Sequence, residues 1–189
     1  MPQPTTITRK ILGIDPGTNI MGYGVIESTT LSQTLITAGV VHLDKIGDTY
    51  EKLKKIHEKI TFLIHTYQPT EMAIEAPFFG KNVQSMLKLG RAQGVAISVA
   101  MTLGLEVVEY APRKIKMSIT GNGNASKEQV AALVIKYLNI ETMPSYLDTT
   151  DALAVGLCHA YQHKLGGDKK SGASTWAKFI KEQPSRIKK

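Results

Sequence analysis

At 189 residues the chain has room for one domain with a sizeable core of its own, and 42% hydrophobic content suits a folded soluble protein. A single cysteine, Cys158, excludes an internal disulfide and agrees with a reducing compartment, while no apolar run approaches the ~20 residues of a membrane span. The net charge of +7 is uneven, because residues 162–189 hold eight Lys and Arg against two acids and the remaining body is nearly neutral.

Residues 1–8, opening Met-Pro-Gln-Pro-Thr-Thr, read as a flexible leader rather than a signal peptide, so the expected location is the cytoplasm. Ile11, Leu12 and Ile14 then form a short buried-strand pattern that climbs to Asp15 and breaks at Pro16-Gly17. Asp15 thus closes a strand at its carboxyl end, where sheets with crossover helices open their clefts. Gly17, Gly22 and Gly24 would leave the adjacent backbone open to a phosphate or a metal, although Asp-Pro-Gly is equally an ordinary turn. Alternation over 21–26 and a β-rich run over 35–41 give two more strands, and the short links predict an antiparallel meander.

The period then changes. Tyr50, Leu53, Ile56, Ile60, Leu63, Ile64 and Tyr67 share one helical face, and Gln68-Pro69-Thr70 ends that helix. Residues 71–75 form a short fourth strand that, like the first, finishes in an acid, Glu75. A long helix rich in Gly, Ala and Ser spans 82–103 and allows close approach of another helix, within the domain or across a dimer; Val95, Val99 and Leu103 would be its contact ridge for a second copy if the core does not consume that face. Residues 105–110 are the fifth strand. Pro112 opens a short helix, and Ser126-Lys127-Glu128-Gln129 is a capping box ahead of the next one. A final helix starts near Asp148 and runs to about His163. The order implies an α/β fold, a mixed five-stranded sheet flanked by helices over residues 9–165, followed by a basic tail at 166–189 that is expected to be disordered.

Four acids stand out. Asp15 and Glu75 close two strands and converge if those strands are neighbours. Asp148 and Asp151 are three residues apart, which brings them to nearly one helical face, though capping and the helix dipole would also account for them. Four gathered carboxylates resist ionisation unless a cation lies between them, and an oxygen-only donor set points to Mg²⁺ or Mn²⁺ rather than zinc. The five histidines show no ligand spacing with Cys158, which reads as a small buried hydrophobe. Residues 81–127 carry seven bases, among them Lys81, Lys116 and Lys127, against two acids. An acidic metal site beside a basic sector suits phosphodiester hydrolysis, and the basic sector suits a polyanion.

At these residues the chain resembles a known family. Ile-Leu-Gly-Ile-Asp-Pro-Gly-Thr at 11–18, Gly-Tyr-Gly-Val-Ile at 22–26, Ala-Ile-Glu at 73–75, Lys-Asn at 81–82, Leu-Lys-Leu-Gly-Arg-Ala-Gln-Gly-Val-Ala at 87–96, Glu-Tyr-Ala-Pro at 109–112, the Gly-Asn-Gly loop with Lys127, and Asp-Thr-Thr-Asp-Ala-Leu-Ala at 148–154 look like the RuvC family of Holliday-junction resolvases. The resemblance implies a ribonuclease-H-like fold, a homodimer, and Mg²⁺-dependent nicking of two opposed strands of a four-way DNA junction, leaving 5′-phosphate and 3′-hydroxyl ends, with Mn²⁺ as a substitute ion. It also implies working with the RuvA–RuvB branch-migration complex. By the same resemblance Asp15, Glu75, Asp148 and Asp151 match the metal-binding catalytic acids; the last is His in some members. Lys116 and Lys127 match the lysines that neutralise phosphates, and Phe78 matches an aromatic that stacks at the junction centre. Phe78, Lys81, Lys116 and Lys127 are therefore the expected DNA contacts. Two rivals share the opening motif or the fold: a nuclease acting on another substrate, and an actin-like ATPase or sugar kinase, which needs a second such domain and a later Asp-Gly loop that this chain lacks.

Overall fold

A computed structural model describes residues 8–77, 82–142 and 144–165. The leader before Thr8, the tail from 166, Phe78 and Lys81 lie outside the described residues.

Among the described residues five strands and five helices follow in the order β1 (Arg9–Asp15), β2 (Ile20–Ser28), β3 (Gln33–His42), α1 (Thr49–Tyr67), β4 (Glu71–Glu75), α2 (Val83–Thr102), β5 (Glu106–Tyr110), α3 (Pro112–Thr120), α4 (Lys127–Tyr137) and α5 (Leu147–Leu165). The strands form one sheet in the order β3-β2-β1-β4-β5. β1, β2 and β3 pair antiparallel, as their short links require, while β4 and β5 run parallel to β1 and are reached through α1 and α2. No helix among the described residues is long and apolar enough to cross a membrane.

Local chemistry sets the helix ends. The Asp48 carboxylate accepts the Glu51 N–H at the start of α1, and Gln68 closes it in a left-handed conformation, just before Pro69. Ser126 and Gln129 form the reciprocal capping box of α4.

Side chains alternate across the strands, so the sheet feeds two cores. Leu12, Ile14, Met72 and Ile74 pack with Ile56, Ile60 and Ala96 under α1 and α2. Ile11, Ile26 and Ala73 pack with Ile115, Val130, Leu153 and Leu157 under α3, α4 and α5. Cys158 is buried in this second core, as a small hydrophobe would be.

Two sequence expectations are corrected here. On α2, Val99 is buried and Val95 and Leu103 pack against the first core, so they are not a free ridge. A spacing of four drifts around a helix of 3.6 residues per turn, which carries the series inward. The face left open carries Val83, Leu87, Gly90, Gly94 and Met101; at Gly90 and Gly94 an added Cβ would meet nothing.

The glycines after Asp15 do not form an open cradle. A Cβ on Gly17 would collide with the Ile20 carbonyl inside the β1–β2 turn, one on Gly22 with the Asp148 backbone, and one on Gly24 with the Leu153 side chain. They serve a tight turn and the seating of α5. Gly13 does the same in the middle of β1, facing the Ala152 carbonyl and the Gly156 backbone. Gly13→Ala should therefore cost about 1–3 kcal/mol through overpacking against a helix that cannot retreat, measured by urea unfolding.

Candidate active site

Pairing of β1 with β4 puts Ile14 beside Ile74, so Asp15 and Glu75 follow as neighbours at the carboxyl edge of the sheet. Ile14 and Ile74 point into the α1–α2 core. By strand alternation the two carboxylates point the other way, toward α3, α4 and α5. α5 supplies the other acids from its first turns. Asp148 is its second residue rather than its cap, and the Thr149 N–H returns to the Tyr146 carbonyl at 3.2 Å as the helix begins. Asp151 follows one turn later.

Asp15, Glu75 and Asp151 meet Lys116 and Lys127 in one cleft of about 230 Å³, walled by Pro112, Ile115, Val130 and Ala154. Asp148 stands behind this lining, close enough for its charge to act on Asp15 and Lys127. The Lys127 ammonium donates to Asp151 Oδ2 at 2.5 Å. Lys116 Nζ donates to the Ala125 carbonyl at 2.8 Å, which ties α3 to the loop ahead of α4. Five of the eight residues expected at the site thus line one cleft, Asp148 stands behind it, and the other two, Phe78 and Lys81, lie outside the described residues. The apolar wall carries no signal in the sequence beyond ordinary helical periodicity, because its members are core residues that happen to reach the edge.

The cleft is electrostatically unsatisfied. Burial, reinforced by the negative charges of Glu75, Asp151 and Asp148 and only partly offset by Lys127, pushes the Asp15 carboxyl up to about 8. Burial and then Asp151 push Glu75 up to about 7 against the pull of Lys127 and Lys116. Burial works against the charge of Lys127, but the hydrogen bond and charge of Asp151, with Asp15 and Asp148 beyond, raise its pKa.

As the side chains stand, no three Asp, Glu, His or Cys residues among the described ones are drawn close enough to hold a metal ion. The Lys127 ammonium lies among these acids and is bonded to Asp151. The donor set nevertheless fits a hard divalent cation. Its members are carboxylates, they converge from three elements, and the raised protonation of Asp15 and Glu75 comes first from burial and then from neighbouring acids, both of which a bound cation would offset.

The family model described as "Crossover junction endodeoxyribonuclease RuvC" matches residues 11–159, which contain every acid of the cleft and both of its lysines. The chain belongs to the RuvC family. The RuvC of Cytophaga hutchinsonii is 57% identical over 185 residues, covering 98% of this chain and 91% of that one. The structure of Thermus thermophilus RuvC in complex with a Holliday junction substrate superposes with a TM-score of 0.78 at 31% identity, over 84% of this chain and 96% of that one. The yeast mitochondrial Holliday junction resolvase Ydc2, at 12% identity, 91% and 83% coverage and a TM-score of 0.62, shares the fold. That fold is ribonuclease-H-like, a five-stranded mixed sheet with flanking helices. RuvC nucleases are metal-dependent endodeoxyribonucleases of crossover junctions.

The shifted acids give this chain a testable pH signature. Asp15 keeps its proton in the folded chain up to about pH 8, yet gives it up near 3.8 when free. The folded state therefore binds the extra proton across that window, and stability without metal falls as pH rises through it. Asp15→Asn should raise stability at pH 8 in EDTA by on the order of a few kcal/mol, with the gain shrinking to nothing near pH 4. Urea unfolding at several pH values measures it, and a gain independent of pH would contradict the reading.

Proposed function

We propose that the cleft nicks one strand of a four-way DNA junction and that a second copy of the chain nicks the opposed strand, which resolves the junction during recombination and repair. One observation carries this reading: carboxylates from β1, β4 and α5 converge with two lysines in a single cleft, in a chain of the RuvC family. Asp15, Glu75, Asp148 and Asp151 are the groups that would hold the metal, Mg²⁺ with Mn²⁺ as a substitute. When bound, such ions make water nucleophilic and stabilise the leaving oxygen of an in-line displacement.

The chain's own residues do the rest. Lys127, already in the cleft, exchanges its bond to Asp151 for the scissile phosphate, which frees that carboxylate for the ion. Lys116 holds a second positive charge at the same edge, tethered by the Ala125 carbonyl. Water adds to phosphorus and the O3′ departs with a proton, which leaves 5′-phosphate and 3′-hydroxyl ends. Phe78 and Lys81 follow Glu75 closely in the chain and are the further DNA contacts that the family resemblance implies. The same reading gives the protein a RuvA–RuvB partner complex and a cytoplasmic location.

Two equivalent cuts on a nearly two-fold substrate call for an isologous dimer. The open α2 face of Val83, Leu87, Gly90, Gly94 and Met101 supports this, since its glycines let another helix approach closely while the residues beside them stay apolar.

Asp15→Asn, Glu75→Gln and Asp148→Asn should each lower junction cutting by at least ~10³-fold, a loss of about 4 kcal/mol of transition-state stabilisation, and leave junction binding intact. A radiolabelled mobile junction with Mg²⁺, read for paired nicks that ligase can seal, checks both. A folded variant that loses binding would count against the assignment.

Leu87→Glu should leave the monomer fold unchanged, because Leu87 is 53% exposed. It should shift the sedimentation mass to one chain and uncouple the paired nicks. A dimer that persists would move the interface elsewhere.

A further inference from the structure

We propose that a second cleft, on the other side of the β1–β2 turn, seats a neighbouring backbone phosphate of the DNA strand that the acidic cleft cuts. This rests on the nuclease reading above and adds a binding site to it.

The cleft is a cavity of about 130 Å³ between the turn and the upper parts of α1 and α2. Lys52 and Lys88 line it from the two helices, and Gly17, Thr18 and Asn19 line it from the turn. Among the described residues no carboxylate lines it, so the two positive charges share the space without an anion from those residues. Among the described contacts, Lys52 Nζ spends one donor on the Thr18 carbonyl at 3.0 Å. That bond holds the ammonium over the turn and leaves two N–H groups for an incoming oxygen. The floor is apolar, made by Leu43, Ile56 and Ala92, and lowers the local dielectric under the two charges. Together these features fit a phosphate oxygen from a strand lying across the turn, with sugar against the apolar floor.

The position relative to the chemistry selects DNA over a free anion. Gly17 is two residues beyond Asp15, so at most about 7 Å of chain separates the acid from this cleft. A phosphate held here and one held over Asp15 would therefore belong to the same short stretch of strand. The α3–α5 side of the turn acts on the bond to be cut, and the α1–α2 side fixes how the strand enters. Neither lysine is part of the acidic cleft, so this site governs grip and register and leaves the acids untouched.

The test uses the full chain, a mobile four-way junction, and the variants Lys52→Ala, Lys88→Ala and the double variant, with Lys136→Ala on α4 as a control for general charge loss. Junction affinity is measured across a salt series without divalent metal. Each cleft lysine should flatten the slope of log affinity against log salt by about 0.7–0.9, and the double variant by about twice that, with the larger value for duplex contacts. Lys136→Ala should change it little. Methylphosphonates placed singly within three nucleotides of the cut should reveal one linkage whose neutralisation weakens the native protein on the order of tenfold and the double variant hardly at all. Equal slopes in all variants, or no linkage that behaves this way, overturns the proposal. Competition by inorganic phosphate at the cleft with junction affinity unmoved by either substitution also overturns it and makes the cleft a small-anion site. A native protein that binds but never cuts the junction would instead undo the nuclease reading, and the salt slopes would still report on the lysines.

Discussion

The distance between α5 and the sheet governs everything at the site. α5 crosses β1 and β2 where Gly13 and Gly22 present no side chain, and its backbone fills the space that a methyl group would take. Only at that range do Asp148 and Asp151, on the first turns of the helix, come within electrostatic reach of Asp15 at the end of β1. Side chains at these two positions would hold the helix off the sheet and carry its acids farther from Asp15. Glycine in a strand interior weakens the strand, and here that cost supports the assembly of the cleft.

β4 shows how differently one strand treats an acid at each end. Glu71, at the start, accepts from Arg9 Nη1 at 2.8 Å and lies 2.6 Å from His159 Nε2, while His159 Nδ1 meets the Tyr110 hydroxyl at 2.7 Å. Burial, first of all, pushes that phenol up to about 12. This buried chain of contacts joins β1, β4, β5 and the far half of α5, so it anchors the helix whose near end carries Asp148 and Asp151. Glu75, four residues on, has no such settlement and is pushed up to about 7. The first carboxylate is neutralised by the fold and holds it together; the second is left in want of a cation, and the fold carries the cost. Buried acids with perturbed protonation and a shared cleft are the usual mark of a working site rather than a structural one.

Much of this arrangement was legible in the residues, and the limits have physical causes. Strand and helix periods in 11–15, 50–67 and 71–75 gave the element order, and the acids closing two of those strands would pair only if the strands were neighbours, which the parallel register of β1 and β4 shows. The capping box at Ser126 was readable because it is a contact between residues three apart. What no local pattern encodes is long-range approach. Gly22 and Gly24 look like a phosphate loop until the Asp148 backbone and Leu153 are seen against them. Val95, Val99 and Leu103 look like a ridge until the core takes them. The Lys127–Asp151 bond joins residues 24 apart, and Lys52 reaches Thr18 across 34, so neither could be read from spacing.

The same packing decides between a nuclease and the phosphate-loop enzymes whose first motif resembles Gly-Ile-Asp-Pro-Gly-Thr. In a phosphate loop, glycines expose backbone N–H groups so that a nucleotide can lie against them. Here the backbone faces of Gly17, Gly22 and Gly24 are already spent on the turn, the start of α5 and Leu153. The open space beside Asp15 is bounded instead by carboxylates on one side and by Lys116 and Lys127 on the other. Unneutralised carboxylates in such a cleft repel an anion that arrives alone, and a cation among them would relieve that repulsion. The glycines that seem to promise a nucleotide serve instead the turn and the seating of α5, which carries Asp148 and Asp151.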